Sequence, residues 1–214
     1  MDRPERALNL SHLIAPESVA IVGASPTSRY GRQVVANFTS LPFPGKVAAV
    51  NPKYEDILGV PCYPSLREMP FVPEAVVINL AAERVVPALE EAASLGVKGA
   101  VVFAIGFAEI GGEGQRRQDR LRAVANQAGM AVIGPNCQGF INFRHPAPLY
   151  MGPVQPYKAG SAAFISHSGT VTNAIANNTR GVRFSHIVSC GNEAVVGCED
   201  LLAYYLDDPN TKLV

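Results

Sequence analysis

The 214-residue sequence contains no tryptophan, only four cysteines and no long apolar run. No apolar stretch approaches ~18 residues without a charge, a proline or a turn signal, and this excludes a membrane-spanning helix. The segment from Met1 to Arg6 mixes both charges and precedes no apolar core, so it does not indicate a secretory signal. We therefore expect a cytoplasmic protein.

Charge and cysteine usage exclude further classes of protein. Eighteen basic and eighteen acidic residues cancel, which leaves no electrostatic case for binding nucleic acid or an anionic membrane. The cysteines, at positions 62, 137, 190 and 198, form no C-x-x-C pair and have no histidine at zinc-site spacing. We expect scattered reduced thiols rather than a disulfide framework or a metal site.

Hydrophobic residues make up 48% of the chain, which is enough for a sizeable core, and their spacing changes regularly along the sequence. Continuous apolar runs alternate with helical spacing, which indicates a parallel sheet covered on both faces. The pattern predicts strands at 18–23, 46–50, 75–80, 99–104 and 131–133, and helices at 31–41, 84–95 and 114–128.

The stretch from Val19 to Gly31 has the pattern of a nucleotide-binding βαβ unit. Apolar residues lead into Gly23-Ala24-Ser25, and helical spacing resumes near Tyr30. Backbone N–H groups at such a turn face a phosphate. Only the first glycine of G-x-G-x-x-G is present, since Gly31 comes too late, so a tight connection without a ligand stays open.

The turn after the second predicted strand, Asn51-Pro52-Lys53, argues against NAD. An NAD site favours an acidic residue here for the ribose hydroxyls, whereas this chain has a proline-stiffened turn with a cation. Lys53 either neutralises a phosphate or is an isolated surface lysine.

Three later strand ends also carry polar or reactive residues. Asn79 follows the third strand, Glu109 lies in a glycine-rich segment after the fourth, and Asn136-Cys137 follows the fifth. As a lone carboxylate, Glu109 is expected to be solvated. Nothing local activates Cys137, so a packed or ligand-lining thiol is favoured over a nucleophile.

Proline and glycine become frequent between about 142 and 160, which predicts a linker. We therefore expect one domain over 1–145, a linker over 146–160 and a second, incomplete domain over 161–214. The second domain is predicted to have strands at 161–165 and 184–189, helices at 169–180 and 198–207, and the start of a strand at 212–214. The sequence is expected to be a fragment or to need further chain or a partner subunit.

A second candidate anion site lies at Ser166-His167-Ser168-Gly169, where a strand again meets a helix N-terminus. A plain N-cap by Ser168 is the alternative. His167 is interpreted as a hydrogen-bond donor rather than a phosphoryl-accepting nucleophile, because the helix dipole disfavours its protonated form. Glu193 either orients a partner's imidazole or phosphate or is a plain acid before the next helix.

Six motifs in order resemble those of the NDP-forming acyl-CoA synthetases and the α subunit of succinyl-CoA synthetase. They are Val-Gly-Ala-Ser at 22–25, Asn-Pro-Lys at 51–53, Gly-Phe-Ala-Glu at 106–109, Gly-Pro-Asn-Cys at 134–137, Ser-His-Ser-Gly-Thr at 166–170 and Gly-Asn-Glu at 191–193. The resemblance covers nearly the whole chain. It implies an α/β fold: a Rossmann-like CoA-binding domain and then part of a flavodoxin-like ligase domain.

The resemblance also implies roles for particular residues. Those expected to contact coenzyme A are Gly23, Ala24, Ser25, Arg29, Gly31, Asn51, Pro52, Lys53, Asn79, Asn136 and Cys137. A phosphate is expected at 166–169. The family reaction exchanges acyl-CoA, phosphate and NDP for a carboxylic acid, CoA and NTP through an acyl phosphate and a phosphohistidine.

Two departures from the family limit what this chain is expected to do. Relatives usually carry Gln or Arg at the position of His167, so His167 is not expected to be the phosphorylated histidine. That histidine, the ATP-grasp domain or β subunit, and with them ATP or ADP and Mg²⁺, are expected outside the chain. The alternatives are a non-catalytic CoA-binding regulatory module, such as the ligase-like part of a protein acetyltransferase, and an NAD-dependent oxidoreductase. An oligomer is expected.

Overall fold

A computed structural model describes residues 8–178 and 181–214. The first part of the chain forms a seven-stranded sheet in the order β3-β4-β2-β1-β5-β6-β7. Every pairing in it is parallel except the short β3–β4 hairpin. The strands are β1 Ser18–Val22, β2 Lys46–Val50, β3 Asp56–Ile57, β4 Val60–Tyr63, β5 Ala75–Ile78, β6 Gly99–Val102 and β7 Ala131–Ile133.

The structure contains every strand predicted for this sheet. These strands were predictable because most of them are buried on both faces. Strands β1, β5, β6 and β7 are buried at every position, which is why they appear in the sequence as continuous apolar runs. The sequence pattern missed the β3–β4 hairpin. Its strands are very short, and they flank a Leu58-Gly59 turn in which both residues have positive φ.

Helices cover this sheet: the three predicted helices each begin slightly earlier than predicted, and a short helix before them was not predicted. They are α1 Ser11–Ile14, α2 Arg29–Ser40, α3 Ala82–Ser94 and α4 Gly112–Ala128, with 3₁₀ turns at Leu66–Glu68 and Ala108–Ile110. Helix α2 begins at Arg29, rather than 31, because Ser28 caps it: the Ser28 hydroxyl accepts the Gly31 N–H at 3.2 Å. None of the described helices is both long enough and apolar enough to span a bilayer.

A second, three-stranded sheet follows in the order β8-β10-β9. It contains β8 Gly139–Asn142, β9 Ala162–Ser166 and β10 Phe184–Ser189, with helices α5 Gly169–Ala176 and α6 Cys198–Leu206. Strand β8 is antiparallel to β10, and β9 is parallel to it. The final run pairs with β9, since the Ala163 N–H donates to the Leu213 carbonyl at 2.8 Å.

Two details of this second part differ from the sequence expectation. The helix predicted over 169–180 ends at Ala176, where the Asn177 side chain bonds back to the Asn173 carbonyl at 2.8 Å; 179 and 180 lie outside the described residues. Strand β8 pairs with the second sheet although it precedes the domain boundary expected at 145. The boundary itself stays a prediction.

The proline-rich segment 146–160 is packed against the first domain. Its Leu149, Tyr150 and Val154 are buried, and the buried Asn37 of α2 satisfies its backbone. The Asn37 amide donates to the carbonyls of Tyr150 and Gly152, both at 2.8 Å, and accepts the Val154 N–H at 3.2 Å. Proline and glycine therefore mark irregular backbone here, not a free tether.

Candidate functional site

The centre of the first sheet contains a topological switch point. Strands β1 and β5 are neighbours, while the chain proceeds from β1 to β2 on one side and from β5 to β6 on the other. In open α/β sheets, ligands bind beyond the carboxyl ends of the strands at such a point. Gly23 follows β1 and Asn79 follows β5, so these two residues flank the crevice.

The turn after β1 has the shape of an anion cradle. Gly23 has φ +82°, and a Cβ built on it would lie 2.4 Å from the Asn79 carbonyl oxygen, so only glycine fits. In the part of the chain that the structure describes, no acceptor contacts the backbone N–H groups of Ala24 and Ser25. Unpaired N–H donors ahead of a helix N-terminus are suited to a phosphate.

Gly31 has a packing role that the sequence pattern did not reveal. It is buried in the first turn of α2, and an added Cβ would lie 2.9 Å from Asn79 Nδ2 and 3.0 Å from the Ser25 nitrogen. The glycine lets α2 approach the β1 turn and the end of β5 closely. The third glycine of the dinucleotide fingerprint serves the same purpose, at a shorter spacing.

The turn after β2 braces the cradle through Asn51. Its amide donates to the Ala24 carbonyl at 2.7 Å, and its Oδ1 accepts the Lys53 N–H at 3.0 Å. Pro52 and Lys53 are exposed beside it, and so is Arg29 at the start of α2. The turn that Asn51 braces therefore carries the Lys53 cation, and none of the residues 51–53 is an acid that could bind a ribose.

A cleft of about 600 Å³ lies between the two parts of the chain and is lined by residues from both. Of the residues singled out from the sequence, the cleft walls include Asn79, Asn136, Cys137, His167 and Gly169. The β1 and β2 turns do not line it, although Gly23 contacts its wall through Asn79. Met151 and the exposed Ile105 contribute apolar surface that the motifs did not identify.

Cys137 is a packed thiol. Its sulfur lies 3.3 Å from the Val102 carbonyl oxygen, and burial raises the pKa of the thiol to about 12. It is therefore protonated at neutral pH, which makes it unsuited to nucleophilic attack. The structure thus agrees with the packed, cleft-lining interpretation.

The N-terminus of α5 forms the other end of the cleft. The Ser168 hydroxyl accepts the Val171 N–H at 3.3 Å, so Ser168 is the N-cap, and Ser166 Oγ accepts the Ser168 N–H at 3.0 Å. Among the described residues, the Gly169 and Thr170 N–H groups have no acceptor. The cap therefore leaves donors available to an anion.

His167 and Glu193 contact each other. His167 Nε2 lies 3.2 Å from Glu193 Oε1, and the imidazole is 63% exposed. Glu193 also accepts the Cys198 N–H at 2.6 Å at the start of α6. The imidazole beside Glu193 therefore belongs to this chain, where the sequence had left open a partner's imidazole, a phosphate or a plain acid before the helix.

Glu109 is exposed, as expected of a solvated carboxylate, but it also belongs to a polar bridge between the two parts of the chain that the sequence did not indicate. It accepts the N–H groups of Gly106 and Phe107 and the side-chain amide of Asn192. Partial burial raises its pKa, but these hydrogen bonds, led by that from Asn192, outweigh burial and lower it overall. Asn136 also donates to Asn192 at 3.2 Å. Sequence offers no signal for contacts between residues 83 positions apart.

Two family models match the chain. A CoA binding domain matches residues 17–142, and a succinyl-CoA ligase like flavodoxin domain matches residues 159–214. The chain belongs to the CoA-binding domain family. The expected α/β architecture, a Rossmann-like CoA-binding domain followed by a flavodoxin-like ligase domain, is confirmed.

Similar proteins carry the names of ADP-forming ligases. The chain is 38% identical over 208 residues to acetate–CoA ligase [ADP-forming] I of Archaeoglobus fulgidus, covering 96% of this chain and 30% of that protein. It is 34% identical over 208 residues to the α subunit of acetate–CoA ligase [ADP-forming] II of Pyrococcus furiosus, covering 96% and 45%. The resemblance to NDP-forming acyl-CoA synthetases is confirmed, and the chain corresponds to their N-terminal part.

A solved structure agrees with these relatives. The acetyl-coenzyme A synthetase 1 of Ca. Korarchaeum cryptofilum, in complex with phosphate and ADP, superimposes with a TM-score of 0.88 at 34% identity, covering 95% of this chain and 44% of that one. The chain therefore spans less than half the length of these relatives.

Proposed function

We propose that this chain binds coenzyme A at the carboxyl edge of its first sheet and forms the CoA- and phosphate-binding part of an ADP-forming acyl-CoA synthetase. The complete enzyme would interconvert acyl-CoA, phosphate and ADP with a small carboxylic acid, CoA and ATP. The observation that carries the proposal is the pair of unpaired N–H groups at Ala24 and Ser25 beside the switch point.

The residues around the cradle fit a nucleotide with several phosphates. Unpaired N–H groups at the β1 turn suit the pyrophosphate, and Gly23 and Gly31 keep the backbone close to it. Lys53, on the turn that Asn51 braces, suits a further phosphate on the ribose, while Arg29 offers a second exposed cation. Coenzyme A carries both a pyrophosphate and a ribose phosphate, whereas NADH lacks the latter.

The cleft suits the rest of the reaction. It leads along Asn79, Asn136 and Cys137 to the N-terminus of α5, where Ser166 to Gly169 would hold phosphate. Coenzyme A supplies the thiol that carries the acyl group. Because Cys137 is protonated and buried, it would line the path of the thiol arm without attacking.

The remaining chemistry would come from other chain or subunits. Relatives named as α subunits and the limited coverage imply further domains or subunits. We infer that an ATP-grasp domain or β subunit supplies the site for ADP or ATP with Mg²⁺, and that the phosphorylated histidine lies outside this chain. A cytoplasmic location and an oligomeric state belong to the same proposal.

Calorimetric titration of this chain with CoA, 3′-dephospho-CoA and NADH tests the proposal. We expect CoA to bind more tightly than the other two ligands. Lys53→Ala should lower the affinity for CoA about 3- to 10-fold, as expected for the loss of one partly solvated charge pair. The affinity for 3′-dephospho-CoA should change little. Lys46→Ala is the matched control, since Lys46 begins β2 at the end opposite to the turn that carries Lys53.

Two results would overturn the proposal. One is preferential binding of NADH, which would favour an oxidoreductase. The other is absence of CoA binding by a folded chain. Equal losses of CoA and dephospho-CoA in Lys53→Ala would remove the lysine from the site without affecting the cradle.

A further inference from the structure

Three side chains with metal-ligand chemistry converge at one end of the second sheet. His167 follows β9, Glu193 lies in the loop after β10, and Cys198 begins α6. Their ligand atoms, the His167 imidazole nitrogen, a Glu193 carboxylate oxygen and the Cys198 sulfur, all lie within 4.8 Å of one another.

The spacing of these atoms suits a small tetrahedral ion. Zinc bonds of about 2.0–2.3 Å place neighbouring ligand atoms roughly 3.3–3.8 Å apart. The His167 to Glu193 separation is already 3.2 Å. The imidazole is 63% exposed, so it has room to rotate and shorten the remaining gap to the sulfur.

The surroundings of the two less exposed ligands hold them in place. Glu193 Oε1 accepts the Cys198 N–H at 2.6 Å, which ties the carboxylate to the residue that carries the sulfur. The Cys198 S–H donates to the buried Cys190 sulfur at 3.4 Å, and once a metal ion replaces the Cys198 proton, the Cys190 S–H is within reach to donate to the resulting thiolate. Such contacts around a metal ligand are typical of built sites.

We propose that His167, Glu193 and Cys198 form a Zn²⁺ site with three protein ligands and one exchangeable position. Imidazole with thiolate favours zinc over Mg²⁺ or Ca²⁺, which prefer all-oxygen ligand sets. The fourth position is left to water or another small ligand, because the cluster supplies only three atoms and its histidine is open to solvent.

No motif in the sequence indicates this site. Zinc motifs are recognised by close pairs of ligands along the chain, whereas these three come from separate elements that only folding brings together. The expectation of no metal site rested on that spacing rule alone.

The site is tested by metal binding to this chain, freed of metal and kept reduced with a phosphine. We expect one Zn²⁺ per chain in competition with a chromophoric chelator, and we expect Co²⁺ to give tetrahedral bands with a thiolate charge-transfer absorption. His167→Gln, Glu193→Gln and Cys198→Ser should each weaken Zn²⁺ by more than about 100-fold, since loss of a ligand exceeds the 10- to 100-fold effect of an outer partner.

Two control variants sharpen the result. His12→Gln removes another exposed histidine, which lies 3.5 Å from the Glu74 carboxylate in a pair that contains no cysteine. Cys62→Ser removes a free thiol of the first domain. Both should keep wild-type affinity. The exposed position of His167 makes His167→Gln informative even if Cys198→Ser unfolds the chain.

Three results would overturn the proposal: absence of Zn²⁺ binding, unchanged affinity in His167→Gln, or a Co²⁺ complex without thiolate absorption. The titration involves no coenzyme A, so its failure leaves the proposed function standing, and the reverse also holds.

Discussion

Replacing Gly31 with alanine tests whether the cradle depends on close packing. The added Cβ would lie 2.9 Å from Asn79 Nδ2, 3.0 Å from the Ser25 nitrogen and 3.2 Å from the Gly23 carbonyl oxygen, and all three distances are shorter than the ordinary contact range of 3.4–4 Å. Two of these atoms are backbone, so relief requires movement of the turn itself.

The expected size of the effect follows from two opposing contributions. Overpacking of a filled site costs about 1–3 kcal/mol, while alanine in place of glycine in a helix contributes up to about 1 kcal/mol. The free energy of unfolding should therefore fall by about 1–2 kcal/mol, or about 2–8 °C in Tm for a chain of this size. Movement of the Ser25 N–H should also lower the affinity for coenzyme A about tenfold.

Urea unfolding and calorimetric titration with CoA measure the two effects in the Gly31→Ala chain. Gly169→Ala is the matched control for stability, because Gly169 also lies in the first turn of a helix and the three atoms nearest to its added Cβ all belong to the flexible Gln138 side chain. The control should stay within about 0.5 kcal/mol of the parent. If Gly31→Ala were equally stable and bound CoA equally well, the close approach of α2 would have no role in the cradle.

Two further variants test the junction between the parts of the chain. Asn37→Ala leaves two carbonyls and one N–H of segment 146–160 without their partner, so urea unfolding should show a loss of about 2–4 kcal/mol; a loss below 1 kcal/mol would mean that the segment is a free linker. Burial raises the pKa of Asp208, but hydrogen bonds, including one from Arg144, outweigh it and hold the value at about 2. Its contribution to stability should be complete above the unfolded pKa near ~3.9 and be lost as pH falls toward 2. Asp208→Asn should remove that part of the acid sensitivity of the urea midpoint, and an unchanged pH profile would contradict this.

The first sheet was predictable because its strands are covered on both faces. Burial on two sides requires continuous apolar residues, as in Ala75–Ile78, and a helix between such runs requires parallel pairing. The β3–β4 hairpin and β8 were not predictable by that rule. Strand β8, Gly139–Asn142, follows a proline- and glycine-constrained turn and pairs with β10, which comes more than forty residues later.

The site was predictable only where one short segment carries it. The Gly23 turn and the N-terminus of α5 are each contained in a few consecutive residues, so glycine and serine identify them. Contacts made by distant residues, such as Glu109 with Asn192 or His167 with Glu193, have no local signature. The first pair joins the two parts of the chain and the second lies within the second part, and only the folded structure reveals either of them.

The relative position of the two candidate anion sites depends mainly on backbone pairing. The loop after β10 runs along the edge of β7: the Ala194 N–H donates to the Gly134 carbonyl at 3.0 Å, and the Val196 N–H donates to the Val132 carbonyl at 3.0 Å. Main-chain bonds of this kind do not depend on the identity of the side chains they join. Cleft-lining side chains such as Met151 and Ile105 can therefore change without moving the β1 turn relative to α5. It follows that substitutions in the cleft lining can change its shape while the distance between the β1 turn and the N-terminus of α5 stays fixed.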